Sequence, residues 1–202
     1  MFRLYRYSWL KHICKWGIWT HQEKESVCLT FDDGPHPIST PVILDLLKKW
    51  DIKATFFCVG ENVIKYPEIF TRILEEGHGI GNHTNQHENA WRKTHTHYLN
   101  SIDNFPYTTS LFRPPYGRLS PQLIRKIKER GFDIIMWSWL SGDYNPKLSN
   151  EKIIAASRNI KGGDILVFHD SDKTQFRIQG LLEEIIPALL AKQFTFRIFV
   201  KG

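Results

Sequence analysis

Hydrophobic positions along this chain follow two alternating periods. Residues 26–31, SVCLTF, form an apolar run of strand length that Asp32-Asp33-Gly34-Pro35 stops. The next segment, PVILDLLKKW (41–50), puts Ile43, Leu44, Leu47 and Trp50 near one helical face, with Thr40 and Pro41 as its start signal. The pair then repeats. KATFFCV (53–59) reads as a strand, and PEIFTRILEE (67–76) as a helix opened by Pro67 and stopped by Gly77. A short strand around Ile80 runs straight into Gly81-Asn82-His83, and Leu111-Phe112 into Arg113-Pro114-Pro115-Tyr116-Gly117. A helix is predicted from Ser120-Pro121 to Gly131, a strand over FDIIMW (132–137), a helix near 150–160 and a strand over DILVFHD (164–170). A long helix near 178–193 and a last strand, FTFRIF (194–199), complete the pattern. Residues 85–110 are polar and resist assignment, and Trp137 and Trp139, flanking Ser138, are expected on one face of their strand, toward the core.

Strand followed by helix, repeated, predicts an α/β fold with a mainly parallel sheet. The polar residues of interest fall directly after strands: Asp32 and Asp33, His83, Arg113, Asp143 a few residues on, and His169. In parallel sheets and barrels the carboxyl ends of the strands carry the active site. Five segments that aim polar groups at one rim are hard to explain by packing.

Composition narrows this picture. A length of 202 residues suits one domain, and 42% hydrophobic with 24% charged residues is ordinary for a globular chain. The three cysteines form no CxxC pair, which argues against a disulfide framework and against a thiolate zinc site. Cys28 and Cys58 lie in apolar runs and read as small buried hydrophobes. The net charge is +6, but Lys and Arg are scattered, so a solvated basic surface is expected and not a nucleic-acid footprint. Residues 1–25 form a basic, aromatic arm ahead of a single domain over 26–202. Lys11, His12 and Lys15 interrupt any signal-peptide core, and no run of about 20 apolar residues suggests a membrane span. The arm is read as packing on the domain, with an interfacial helix bearing Trp9, Trp16 and Trp19 at a membrane surface as the alternative. A monomer that is cytoplasmic or membrane-associated is the resulting expectation.

Asp33, His83 and His87 offer a carboxylate and two imidazoles, a donor set that suits a catalytic divalent ion with open positions, such as Zn²⁺, Fe²⁺, Co²⁺ or Mn²⁺. The spacing in HTNQH puts both rings on one side of a turn. If Asp33 holds a metal, its neighbour Asp32 points elsewhere and can act as general base toward water. By itself, DDGP reads equally well as a plain turn. His169 ends an apolar run, where a lone histidine is more often structural; Asp143 can raise its pKa and make it a general acid. Arg113 can orient Asp32, and the backbone N–H of Tyr116 can donate to a developing oxyanion. Trp91 or Tyr98 can stack on a sugar ring, against a surface-loop reading for the same stretch; His95 and His97 are left outside the metal set.

TFDDGP at 30–35 (Thr30 to Pro35), HTNQH at 83–87, RPPYG at 113–117 and a late strand ending in His169-Asp170 occur in this order. As a set they resemble the polysaccharide deacetylases of carbohydrate esterase family 4, the NodB homology domain, over nearly all of the chain from about residue 26. The resemblance implies a distorted (β/α) barrel with fewer than eight repeats. It implies Asp32 as base, Asp33, His83 and His87 as ligands of one divalent metal (zinc first, with cobalt, iron, manganese or nickel as alternatives), Arg113 as positioner of the base, Tyr116 as amide donor, and His169 as acid paired with Asp143. The implied substrate is an N-acetylglucosamine-containing glycan that loses N-acetyl groups, with O-acetyl as the variant. A small-amide amidase and an inactive carbohydrate binder are the rival readings. One motif departs from the family pattern, Asp-x-x-Asp-Trp: here Leu140 replaces the first Asp and Tyr144 the Trp, and Val167 stands where the family has Leu. Tyr144 and Val167, with Pro114, Pro115 and Trp91, are the expected substrate-contacting residues.

Overall fold

A computed structural model describes residues 16–199. Cys14 and the interfacial-helix reading of the N-terminal arm, with its Trp9, lie outside the described residues. Eight short strands form one sheet: β1 (Ser26–Asp32), β2 (Thr55–Cys58), β3 (Gly79–Asn82), β4 (Leu111–Phe112), β5 (Asp133–Ile134), β6 (Trp139–Leu140), β7 (Ile165–His169) and β8 (Thr195–Phe196). Their order is β5-β4-β3-β2-β1-β7-β6, with β8 beside β1, and every pairing is parallel. The seven strands of the main path curl into a half-barrel with helices outside, so the expected α/β barrel of fewer than eight repeats is what the chain forms.

The central strands explain their own composition. All seven residues of β1 are buried, because strands pair on both edges and layers cover both faces. Helices Ser39–Lys49 and Ile178–Ala191 cover the outer face and bury Ile43, Leu44 and Leu47 of the first and Leu181, Leu182 and Ile185 of the second. Phe31 of β1 stacks on Phe56 of β2 at 5.1 Å between ring centres and meets Phe168 of β7 at 6.2 Å, which ties three strands into one apolar layer. Cys28 and Cys58 are buried, and burial pushes their thiols up, to about 12 for Cys28, so they sit here as inert apolar groups.

Several elements differ from their sequence pattern. FDIIMW is not one strand: only Asp133–Ile134 join β4, after which Ile135 bridges to Ile18 near the N-terminus and the chain turns away. Trp139–Leu140 then forms an unpredicted strand against β7. As a result Trp137 and Trp139 part company: Trp139 sits in the core, while Trp137 is half-buried beside the groove described below. The polar stretch holds a helix, His95–Asp103, that buries Tyr98, Leu99 and Ile102. A short helix, Gly60–Lys65, also escaped the pattern, and the last strand shrinks to Thr195–Phe196. Ahead of β1, Ile18 pairs in parallel with Ile135 and Thr20 antiparallel with Asp164, and Trp19 is buried. No helix among the described residues is long and apolar enough to cross a membrane.

Candidate active site

At the carboxyl ends of β1, β3, β4 and β7 the sequence-marked residues meet around one groove of about 520 Å³. Asp32 is the last residue of β1 and Asp33 the first beyond it, in a left-handed backbone (φ 88°) that turns the two carboxylates apart. Gly34 follows because Asp170 packs against it: a Cβ there would lie 1.9 Å from the Asp170 carboxylate. Asp170 accepts hydrogen bonds from the Gly34 N–H (3.0 Å) and the Thr40 hydroxyl (2.6 Å), so it fixes the turn from below. Burial pushes the Asp170 carboxyl up to about 8.

The Asp33 Oδ1 atom lies 3.1 Å from His87 Nε2 and 3.7 Å from His83 Nε2. Neither contact makes a hydrogen bond, so this buried oxygen has no hydrogen-bond partner. One ligand atom from each of Asp33, His83 and His87 fits within a cluster 4.8 Å across. An orphaned carboxylate oxygen between two imidazoles costs free energy unless a cation sits there. The donor set, one oxygen and two nitrogens with room for further ligands, fits a divalent metal ion. His83 faces a backbone carbonyl, that of Arg113, at 2.7 Å, so its Nδ1 must carry the proton and its Nε2 is left for a metal. Burial also holds the His83 imidazole down at about 4, which keeps it neutral. Burial pushes Asp33 the opposite way, up, but the imidazoles of His87, His169 and His83 outweigh it and hold the carboxyl well below the usual range. His87 has φ 53°, and the Tyr116 ring packs edge-on against its imidazole, centres 4.7 Å apart.

Asp32 answers to a different cation. Its Oδ1 accepts from Arg113 Nη1 at 2.7 Å, and the same nitrogen donates to the Thr30 hydroxyl at 2.7 Å. The Arg113 guanidinium is wholly buried; it also donates to the carbonyls of Ile135 (3.2 Å) and Met136 (3.1 Å) and lies 3.9 Å from the Phe57 ring centre. Burial lowers the Arg113 pKa, opposed by Asp32, yet arginine stays charged at any ordinary pH. Across the groove, His169 Nδ1 donates to Asp143 Oδ1 at 2.7 Å, and the His169 backbone N–H donates to the other oxygen at 2.8 Å. Burial would push this imidazole down; the Asp143 carboxylate, aided by Asp33 and Asp32, outweighs it and raises the pKa to about 9.

Tyr144, Val167 and Pro114 line the groove, and the Tyr144 ring sits edge-on to His169 with centres 4.9 Å apart. Leu140, paired with Val167 across β6 and β7, extends the same apolar wall. Pro115 is buried and Trp91 stands 66% exposed; neither is part of the lining. Tyr116 holds a left-handed backbone at φ 61°, which turns its amide at the rim. His95 and His97 bond elsewhere, to Ser120 and Glu88. Four contributors escaped the sequence reading. Thr30 shares Arg113 with Asp32, Asp170 carries the turn, and Trp19 lines the groove. Arg177, the fourth, donates to the carbonyls of Asp143 (3.0 Å), Asn145 (3.2 Å) and Leu148 (2.6 Å) and to the Asn150 side chain, so it braces the loop that carries Asp143. The dipeptide His169-Asp170 was a visible signal for Asp170; Arg177 had none, because its acceptors are backbone carbonyls of a distant loop.

Fold and site together define an α/β half-barrel hydrolase with a candidate metal centre at the carboxyl rim of a parallel sheet. The family model for polysaccharide deacetylases matches residues 20–135. A peptidoglycan-N-acetylglucosamine deacetylase of Bacillus cereus is 34% identical over 181 residues, covering 84% of this chain and 84% of that one. A chitooligosaccharide deacetylase of Azorhizobium caulinodans is 30% identical, covering 86% of this chain and 92% of its own. Among solved structures, the Bc1960 peptidoglycan N-acetylglucosamine deacetylase superposes with a TM-score of 0.87 at 33% identity, over 96% of this chain and 94% of the other. The chain belongs to the polysaccharide deacetylase family, carbohydrate esterase family 4, and is a carbohydrate deacetylase by class. Deacetylases of this family are metalloenzymes, in keeping with the Asp-His-His cluster.

Proposed function

We propose that the chain removes acetyl groups from N-acetylglucosamine units of a glycan, with Asp33, His83 and His87 holding one divalent ion, zinc by preference. The observation that carries this reading is the orphaned Asp33 oxygen between two imidazoles, in the same groove as an Arg-held carboxylate and a carboxylate-held imidazole. When bound, the ion supplies Lewis-acid polarisation of the acetyl carbonyl and makes water more acidic, toward a pKa of about 7.

The protein groups perform the proton transfers. Asp32, hydrogen-bonded to Arg113, takes a proton from the attacking water as general base. Arg113 holds one Asp32 oxygen and leaves the other for that transfer. The Tyr116 amide, turned at the rim by its left-handed backbone, donates to the oxyanion that develops. His169 enters as an imidazolium and passes its proton from Nε2 to the departing sugar amine, while Asp143 keeps Nδ1 occupied. Tyr144, Val167 and Leu140 form the apolar wall against which the acetyl methyl rests. Tyr144 fills the place of the family's Trp with a smaller ring, which shapes the acyl pocket and packs edge-on against His169.

The test is acetate release from an N-acetylglucosamine oligomer of four or more units by the purified protein. Release is expected to stop on treatment with a chelator and return with zinc or cobalt; turnover that persists in the stripped protein overturns the metal reading.

A further inference from the structure

The exposed apolar side chains of this molecule gather at one end. The seven strands of the main path run parallel, so the segments that follow β1 to β7 open onto the rim that carries the candidate site. Among the described residues, every large hydrophobic side chain more than 40% exposed stands there: Ile38, Ile64, Trp91, Tyr116, Tyr144 and Phe176. The other exposed ones, Ile18, Tyr107 and Leu190, stop at 38 or 39%. Ile64 belongs to the rim because its helix, Gly60–Lys65, is tied there. The Gly60 N–H donates to the Thr84 carbonyl at 3.1 Å, and the Asn62 side chain donates to the Asp33 carbonyl at 2.8 Å. Apolar residues scattered singly over a surface need no explanation, but six on one rim do.

Charge follows the same division. The rim segments (33–38, 59–66, 83–94, 113–120, 141–149 and 170–177) carry five exposed cations, Lys65, Arg92, Lys93, Lys147 and Lys173, against two exposed carboxylates, Glu61 and Asp172. Over all other described residues the exposed charges balance, with twelve cations and twelve carboxylates. None of the five rim cations meets a carboxylate within 4.0 Å among the described residues. Asp172 is taken up by His36 at 2.9 Å, and Glu61 by the Gln86 amide. The groove interior is separate, since Arg113 and His169 there are already matched by Asp32 and Asp143.

Phe176 is the extreme case, 92% exposed on anchored backbone. Two residues before it, Thr174 is buried and its hydroxyl donates to the His169 carbonyl at 2.6 Å. Directly after it, Arg177 is held by the carbonyls of Asp143 and Leu148. A benzyl group turned outward into water contributes nothing to the fold, but it gains when an apolar phase receives it. Ile38 and Ile64 point to the same phase, because a branched aliphatic chain has no flat face on which a sugar ring can stack. The acyl boundary of a bilayer receives aliphatic and aromatic side chains alike, while lysine and arginine beside them reach the headgroups.

We propose that this rim docks on an anionic lipid bilayer, with Phe176, Ile38 and Ile64 entering the boundary between headgroups and acyl chains and the rim cations pairing with lipid phosphates. The mouth of the groove then faces that surface. The proposal goes beyond the deacetylase reading and does not rest on it.

The test is co-sedimentation of the full chain with vesicles of phosphatidylcholine, alone or with one-third phosphatidylglycerol. The wild-type protein is expected to bind the anionic vesicles at least about tenfold more tightly than the neutral ones, a gap that closes at high salt. Phe176→Ser with Ile38→Ser is expected to weaken binding to the anionic vesicles by about tenfold or more. Lys65→Gln with Lys147→Gln is expected to weaken it by about tenfold as well. Leu190→Ser with Lys48→Gln, near the ends of helices that run away from the rim, is expected to leave binding unchanged. All these positions are exposed, so each variant is expected to melt close to the wild type. A wild-type protein that binds neither vesicle overturns the proposal. Binding that persists in both rim variants also overturns it, since the contact then lies elsewhere, the N-terminal arm included. If no vesicle is bound and the rim variants instead raise KM for a soluble N-acetylglucosamine oligomer, the apolar rim holds the glycan and the proposal fails. If no oligomer loses acetate while vesicle binding follows the rim variants, the deacetylase reading falls and the docking stands.

Discussion

Two carboxylate–cation pairs face each other across the groove, and they are built in opposite senses. On the β4 side, Arg113 is the fixed charge: it is sealed in the core, donates to two backbone carbonyls, and holds one oxygen of the Asp32 carboxylate. On the β7 side, Asp143 is the fixed charge: it is fully buried, accepts from two backbone N–H groups, and keeps His169 a cation. In the proposed mechanism one pair presents a proton acceptor and the other a proton donor, although both are a carboxylate beside a nitrogen cation. On the proposed reading, the buried, backbone-anchored partner fixes the geometry of each pair, and the groove-facing partner performs the chemistry.

Replacing an anchor should do more than replacing the group it serves. Arg113→Met leaves Asp32 buried without its cation, and breaking a buried pair in this way costs about 3–5 kcal/mol. Denaturant unfolding is expected to show that loss together with no measurable turnover; a variant of native stability would remove Arg113 from its anchoring role. Asp32→Asn keeps the shape and the hydrogen bond to Arg113. It is expected to lower kcat by ~10²–10⁴ while bound metal, measured by elemental analysis, stays near that of the wild type.

The opposite pair is tested by pH. The imidazolium is the working form of His169, so its contribution is full at low pH and lost as pH rises through its pKa of about 9. The His169–Asp143 pair also favours the folded state most below the ordinary histidine pKa of ~6.5, and that contribution fades as pH climbs through about 9. Asp143→Asn removes the cause, so the alkaline limb of the kcat/KM profile is expected to move to lower pH, toward ~6.5. An unmoved limb would mean that another group supplies the proton. Arg177→Lys should have the smallest effect. One ammonium cannot serve acceptors spread over the 143–150 loop, so a several-fold drop in kcat is expected, with a slight shift of the same limb in the same direction. If stability falls while the limb stays put, Arg177 braces the loop without aligning the pair.

What could be read from the sequence followed burial. β1 and β7 were legible because neighbours on both edges leave them buried and mostly apolar, and the polar site residues begin where that run stops, at Asp32 and His169. The candidate metal cluster was legible because Asp33 and His83 follow strands directly and His83 and His87 share one turn. The 132–140 region was not. Its apolar residues serve three neighbours in turn, β4, the Ile18 segment and β7, so one continuous pattern concealed a broken strand. The helix His95–Asp103 hides for a related reason, since its apolar face consists of Tyr98, Leu99 and Ile102 among histidines, threonine and asparagine. Thr30 and Arg177 were invisible because their roles depend on which distant groups they reach.

The short stretch around Ile18 also changes how the barrel ends should be regarded. Ile18 donates to the Ile134 carbonyl at 2.8 Å and accepts from the Met136 N–H at 2.7 Å, and three residues later His21 donates to Gly163 at 3.0 Å. It thus ties the free β5 margin of an otherwise open sheet to the chain entering β7, with the Trp19 side chain as part of the groove wall. A chain shortened to begin at Ser26 would keep every proposed acid, base and ligand yet lose this clasp, and the floor of the groove would be free to splay.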